Sequence, residues 1–135
     1  MEIGDWRLQI GRIGMTPDEL SDRLIDFGVR AGRVVDALPD TRLGRHIAGQ
    51  LVRCGTSPAP NYDEGSAAAS RDDFIHKVGI ACKEVRETAY WLTVIKRSGW
   101  KVTQLEALLS EAHQLAAILS ASSRTARANV RKEAP

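Results

Sequence analysis

The sequence lacks the cysteine spacings and the long apolar runs that build structural metal centres, disulfide frameworks and membrane spans. Its two cysteines, Cys54 and Cys82, have no metal-ligand spacing, and no apolar run is long enough to cross a bilayer. No apolar stretch of the secretory-signal type lies near Met1. We therefore expect a cytoplasmic chain with reduced thiols and no membrane span.

Catalytic signatures and an excess of one charge are also missing. Gly11 and Gly14 are not followed by Gly-Lys-Ser/Thr, and no nucleophile motif supports a Ser-His-Asp or Cys-His arrangement. We therefore expect no enzymatic activity and no cofactor. The formal net charge of +2 is too small to indicate nucleic-acid binding by itself. Aromatic residues are only 5% of the chain and form no interleaved stacking platform, so we expect no sequence-specific readout of nucleic acid.

What is present is enough for one globular domain. The chain has 135 residues, of which 43% are hydrophobic and 27% charged, and a domain of this size folds without disulfides or metal. We divide it into an N-terminal arm (1–15), a helical bundle (16–124) and a basic, frayed tail (125–135), because apolar residues become sparse after Arg124.

Helix caps and apolar periodicity predict four helical segments. Thr16 and Glu19 form a capping box around Pro17, and Thr103 with Glu106 forms a second one. Apolar residues then recur at spacings of three and four along each helix. On the second helix these residues are Leu43, Ile47, Leu51 and Cys54.

The second helix carries strong breaking signals near its middle. Gly55 and the segment from Ser57 to Pro60 predict a kink, with Ser57 capping a new helical segment that starts at Pro58. Four helices, short connections and no strand pattern predict an all-α, up-down-up-down antiparallel four-helix bundle with a kinked second helix.

Polar residues at helical spacing predict a network between the second and third helices. Arg53 is expected to face Glu84 or Glu87, since an unpaired charge there is costly. Tyr90 and Trp91 fit either a subunit contact or plain core packing. The full predicted network is Gln50, Arg53, Ser57, Asn61, Glu64, Glu84, Glu87 and Thr88.

Two other functions compete with this structural interpretation. The first is a metal-dependent enzyme with a carboxylate and histidine site inside the bundle, although only one carboxylate-x-x-His pair, Asp73 and His76, is present. Its remaining ligands would be Glu64, Glu84 and Glu87. The second is a surface that binds nucleic acid. The alternative interpretation of the same basic residues is a charged face that contacts only solvent. These candidate residues are Lys77, Lys83, Arg86, Lys96, Arg97, Lys101, Arg124, Arg127, Arg131 and Lys132.

Three stretches carry a resemblance to a known family. They read QLVRCGTSPAPNYDE at 50–64, DFIHKV at 73–78 and KEVRETAYWL at 83–92. Together they resemble the bacterial four-helix-bundle family first noticed as products of intervening sequences in large-subunit ribosomal RNA genes. The resemblance covers about Leu20 to Leu119.

The resemblance implies a ring-shaped homo-oligomer, a pentamer, of antiparallel four-helix subunits. No activity is established for the family as a class. A related branch, the accessory protein of diversity-generating retroelements, works with a reverse transcriptase and nucleic acid. The resemblance thus implies RNA or DNA, or a reverse-transcriptase-like or other protein, as partners beside further copies of the chain itself. From residues and resemblance together, we expect a non-enzymatic oligomeric interaction module.

Overall fold

The computed structural model describes residues 14–133, with side chains as far as Ala128. Most of the predicted N-terminal arm, and the last two residues of the tail, lie outside the described residues. Within them the chain is helical and contains no strand. The helices are α1 (Pro17–Asp36), α2 (Arg42–Thr56), α3 (Pro58–Ser66), α4 (Arg71–Ser98) and α5 (Leu105–Glu133).

These helices form the predicted four-helix bundle, because α2 and α3 together make one bent helix. Around the bundle, α1 packs on α2 and α3, these pack on α4, α4 packs on α5, and α5 returns to α1. Two contact pairs show that the bent helix and α4 run antiparallel, namely Arg53 with Glu84 and Glu64 with Lys77. Helices α4 and α5 do the same, since Cys82 contacts Ala116 and Lys96 contacts Glu106. The all-α class and the kinked second helix are confirmed. No described helix combines the length and the apolar character that a bilayer crossing requires.

Most helix starts follow the predicted caps. Thr16 and Glu19 form the capping box of α1, and Ser70 accepts a hydrogen bond from the Asp73 backbone at the start of α4. The box predicted from Thr103 and Glu106 is wrong. Gln104 instead adopts a left-handed φ of 68° before α5, and Glu106 pairs with Lys96 at 3.0 Å.

The bend between α2 and α3 comes from proline and not from a glycine break. Pro58 and Pro60 lack backbone N–H groups, so the carbonyls one turn earlier lose their helical donors. Ser57 has helical angles and makes no side-chain cap, contrary to expectation. The side-chain amide of Asn61 spans the bend and donates a hydrogen bond from Nδ2 to the Ser57 carbonyl at 2.9 Å. Gly55, expected as a breaker, lies inside α2.

The core holds nearly all of the predicted apolar positions. Its largest fully buried side chains come from every helix of the bundle and include Phe27, Leu51, Tyr62, Leu92 and Leu115. Leu43 is an exception at 51% exposed. The next residue, Gly44, is buried instead, and a Cβ there would lie 2.0 Å from the Pro39 carbonyl oxygen. The turn between α1 and α2 therefore occupies the space that a leucine would need.

Helix α5 is longer than the sequence suggested. It continues to Glu133, beyond the boundary drawn at Arg124. Ser122 and Ala126 are both buried, which prolongs the apolar spacing of Leu115 and Leu119 by almost two turns. Small side chains thus extend the packing surface past the last leucine.

Helices α1 and α2 approach each other closely at small residues. A Cβ on Gly28 would lie 3.2 Å from the Gly55 carbonyl oxygen, and a Cβ on Gly55 would lie 2.6 Å from the Cβ of Ala31. Real Cβ atoms do not come that close, so this crossing requires glycine at position 55.

We expect Gly55→Ala to lower the free energy of unfolding by about 1–3 kcal/mol, because α1 and α2 must move apart to admit the methyl group. Gly49→Ala is the matched control, since Gly49 lies in the same helix and a Cβ there meets nothing within 4 Å. That change should stabilise the protein by about 0.5–1 kcal/mol. Urea denaturation measures the free energy of unfolding of both variants. If Gly55→Ala and Gly49→Ala change it equally, the close approach of α1 to α2 is contradicted.

Candidate functional site

Arg53 organises a polar cluster between α2 and α4. Its guanidinium donates to Glu84 Oε2 at 3.1 Å and to the Glu87 oxygens at 2.6 and 2.7 Å, and Gln50 Oε1 accepts at 3.2 Å. The pairing predicted for Arg53 is thus confirmed, and it includes both glutamates. We call Gln50, Arg53, Glu84 and Glu87 the Arg53 cluster.

The electrostatics of the Arg53 cluster favour the ionised forms of Arg53 and Glu87. The hydrogen bond from Arg53 is the main cause that lowers the pKa of the Glu87 carboxyl, and the same bond raises the pKa of Arg53. The buried N–H of the neighbouring Trp91 indole has no partner at hydrogen-bond distance among the described residues. A Glu87 carboxylate held ionised by Arg53 is poorly suited to proton transfer, since a general acid or base needs a pKa near the working pH.

The rest of the predicted polar stripe separates into smaller groups. Asn61 donates to the Ser57 hydroxyl at 2.9 Å, and Glu64 pairs with Lys77 at 2.7 Å. Thr88 is fully buried and donates to the Glu84 carbonyl at 2.8 Å, within its own helix. The stripe is interrupted because the chain bends between α2 and α3.

Three aromatic rings lie at one end of the Arg53 cluster. Trp91 meets His46 edge-on with 5.7 Å between the ring centroids, and it meets Tyr90 in the same way at 4.9 Å. Tyr90 is 60% exposed. Trp91 packs partly against the core, while Tyr90 presents an aromatic surface to solvent.

The proposed metal ligands do not assemble into a site. Glu84 and Glu87 are bound by Arg53, and Glu64 is bound by Lys77. No group of three or more histidine, cysteine or acidic side chains with metal-binding geometry occurs among the described residues. The carboxylate and histidine site therefore has no geometric basis here.

The predicted basic residues fall into several separate groups. Lys77 and Lys96 are neutralised by Glu64 and Glu106. Arg97 lies exposed near the end of α4, and the side chains of Arg131 and Lys132 lie outside the described ones.

Four other cations share one surface groove of about 280 Å³ between α4 and α5, which we call the basic groove. Within the part of the chain that the structure describes, none of the four forms an ion pair. They are Lys83, Arg86, Arg124 and Arg127.

Sequence reasoning selected these cations but did not bring them together. Lys83 and Arg86 lie more than thirty positions from Arg124 in the sequence, and only the antiparallel α4–α5 pairing makes them neighbours. It also missed the ion pair of Arg23 with Glu111, in which Nε donates at 3.0 Å across α1 and α5. No local pattern indicates either contact.

Arg53→Met should destabilise the protein most near neutral pH. Because the pKa of Glu87 is lowered in the folded state, its stabilising effect is present above its ordinary value of about 4.5 and is lost as the pH falls through the folded value. The difference in Tm between variant and wild type should therefore shrink on acidification.

Arg45→Met is the matched control, because the partners of its ion pair with Asp40 are 62% and 90% exposed. It should change Tm little at any pH. Thermal unfolding followed by circular dichroism across the acid range tests both variants. A pH-independent effect of Arg53→Met would contradict the assignment to Glu87.

The comparisons with known proteins agree with this architecture. The pattern that describes the 23S rRNA-intervening sequence protein matches residues 21–121. A crystal structure from Bacteroides thetaiotaomicron, described as a protein of unknown function from the S23 ribosomal protein family, is 30% identical with a TM-score of 0.73. The alignment covers 82% of this chain and 99% of that one. No curated protein matches the chain. The match extends from α1 to α5 and establishes that this chain belongs to the 23S rRNA-intervening sequence protein family.

Proposed function

We propose that the protein is a non-enzymatic, self-associating module that binds the phosphate backbone of RNA or DNA through the basic groove. The observation that carries this proposal is the convergence of four cations that have no described ionic partner. Elsewhere on α4, Lys77 and Lys96 each have a carboxylate partner. The groove is therefore a place where positive charge remains available to a ligand.

The shape of the basic groove suits a phosphate chain. Between its cations lie Gly79, Ser120 and Ser123, whose small side chains let a backbone phosphate approach. A Cβ on Gly79 would meet nothing within 4 Å. Arg124 donates to the Ser120 hydroxyl at 2.7 Å, which holds its guanidinium beside the groove before any ligand arrives.

The contacts that this groove offers are to phosphate and not to bases. Its lining contains no aromatic side chain, so binding should tolerate any sequence and depend strongly on salt. The family name links its members to intervening sequences of ribosomal RNA, which supports a nucleic-acid ligand. A nucleic-acid-processing enzyme, such as a reverse transcriptase, would be a partner that shares this ligand.

Self-association is supported by an apolar surface on the opposite side of the bundle. A groove of about 310 Å³ between α1 and the bent helix is lined by Leu24, Ile25, Gly28, Val29, Thr56 and Ala59. Ile25 and Val29 are about half exposed, and so is the neighbouring Val52. Apolar side chains grouped in this way mark protein contacts. In a ring, a pentamer by the family resemblance, this face would contact a different surface of the next subunit, and the ring would repeat the basic groove around its axis.

The double variant Arg86→Gln/Arg124→Gln should bind nucleic acid more weakly and with a flatter salt dependence. Each lost phosphate contact to a single strand reduces the slope of log K against log salt by about 0.7, so two contacts account for about 1.4. Fluorescence anisotropy with labelled single-stranded RNA, and with DNA of the same sequence, measures this at several salt concentrations.

Lys77→Gln/Lys96→Gln is the control, since it removes the same charge from side chains that already have carboxylate partners. It should leave the slope near that of the wild type. If both double variants lost the same affinity for nucleic acid, net charge and not the groove would determine binding. No binding by the wild type at low salt would refute the nucleic-acid proposal.

Val29→Glu should convert the assembled protein to a monomer, because it places a charge in the apolar groove. Leu43→Glu is the control, since Leu43 is equally exposed but lies outside that groove. Light scattering coupled to gel filtration reports the mass of each species. A wild-type protein that is strictly monomeric at micromolar concentration would refute self-association.

A further inference from the structure

One exposed aromatic ring lies on the face of α4 that forms a wall of the basic groove. Tyr90 comes four residues after Arg86, the last α4 residue that lines the groove. Side chains at this spacing are neighbours on a helix surface, with about 5–6 Å between their Cβ atoms. Lys83 and Arg97 lie seven residues before and after Tyr90, which is close to two full turns, so both share its face. Tyr90 therefore lies between cations, one turn beyond the groove.

The ring of Tyr90 is both accessible and held in place. The residue is 60% exposed. Trp91 meets it edge-on, with 4.9 Å between the ring centroids and 77° between the ring planes. Trp91 in turn packs against the core and meets the ring of His46. An edge-on contact covers at most one face of the Tyr90 ring, so the other face is open to a ligand that stacks on it.

The charges around Tyr90 indicate what kind of ligand covers it. Among the large hydrophobic side chains that the structure describes as exposed, Tyr90 is the one aromatic. Neither Arg86 nor Arg97 forms an ion pair with another described residue. An apolar protein surface placed on Tyr90 would bury these cations without a partner charge, which is costly. A polynucleotide supplies a flat ring for Tyr90 and phosphates for the arginines.

We infer that Tyr90 stacks on one base of a single strand whose phosphates lie in the basic groove, so that the protein prefers unpaired to paired nucleic acid. This inference rests on the proposed function of the groove and names the form of its ligand. In a duplex each base is stacked between its neighbours, whereas an unpaired base can turn toward an aromatic side chain. Every base has a flat face, so one stacking ring leaves binding tolerant of sequence. Beyond Tyr90 the strand would continue toward Arg97.

Two single strands of equal length separate stacking from charge. Oligothymidine and an abasic oligonucleotide carry the same phosphates, but only oligothymidine has bases. We expect the wild-type protein to bind oligothymidine about fivefold or more tightly, because stacking of one base on an aromatic ring has an effect of this size. Fluorescence anisotropy measures both affinities at several salt concentrations.

The outcomes of this titration distinguish the inference from the proposed function. If the wild type binds the two strands equally well, stacking on Tyr90 is refuted and the phosphate-binding groove remains. If neither strand binds at low salt, the proposed function is refuted and the inference with it.

Tyr90→Ala should bind oligothymidine as weakly as the abasic strand, with an unchanged salt slope because no charge is removed. Its affinity for a duplex should equal that of the wild type. Tyr90→Phe keeps the ring and should behave like the wild type. Leu43→Ala is the matched control, since Leu43 is 51% exposed but lies on α2, outside the basic groove. A preference for oligothymidine that persists in Tyr90→Ala, or an equal loss of duplex binding, would overturn the assignment.

The mass of Tyr90→Ala in solution distinguishes stacking from a contact between copies of the chain. We expect light scattering to give the same mass as for the wild type, and circular dichroism the same helical content. A lower mass that accompanies the loss of binding would show that Tyr90 lies in a subunit interface, and would overturn its role in base stacking.

Discussion

The close approach of α1 to α2 is the constraint from which the rest of the bundle follows. Gly28, Ala31 and Gly55 leave no room for a further methyl group between the two helices. This fixes α2 immediately before its bend, where Arg53 reaches α4. Beyond the bend, α3 carries Glu64 toward Lys77 on the same helix α4. Small residues at one crossing thus set the register of the ion pairs on either side of the bend.

The ionic groups of the bundle have two different uses. Between the bent helix and α4, cations and carboxylates neutralise one another, as in the Arg53 cluster. In the basic groove, cations collect without a described ionic partner. A net charge of +2 averages over these regions and conceals the difference. Total charge is therefore a poor guide to where such a protein meets an anion.

The sequence predicts well those features that depend on neighbours along one helix. The Thr16 cap, the core spacing and the kink at the prolines are of this kind, and the pairing of Arg53 with the glutamates needed only the antiparallel order. The prediction that Leu43 packs in the core is wrong, because Gly44 takes the inward position beside the α1–α2 turn. The buried position of Ala126 on α5 was not predicted, because a small residue gives a weak apolar signal although it is buried. The basic groove combines residues that are distant in the sequence, and its assembly depends on the lateral register of α4 and α5, which no local pattern contains.

The position of Cys54 has a consequence for thiol chemistry. It is fully buried beside the Arg53 cluster, its Sγ lies 3.7 Å from the Leu51 carbonyl oxygen, and burial raises the pKa of the thiol. A neutral, inaccessible thiol does not react with alkylating reagents or oxidants. Cys54 can react only when α2 separates from its neighbours, so its labelling rate reports how often this part of the bundle opens. The residue is thus a natural probe of the same helix crossing that Gly55 makes possible.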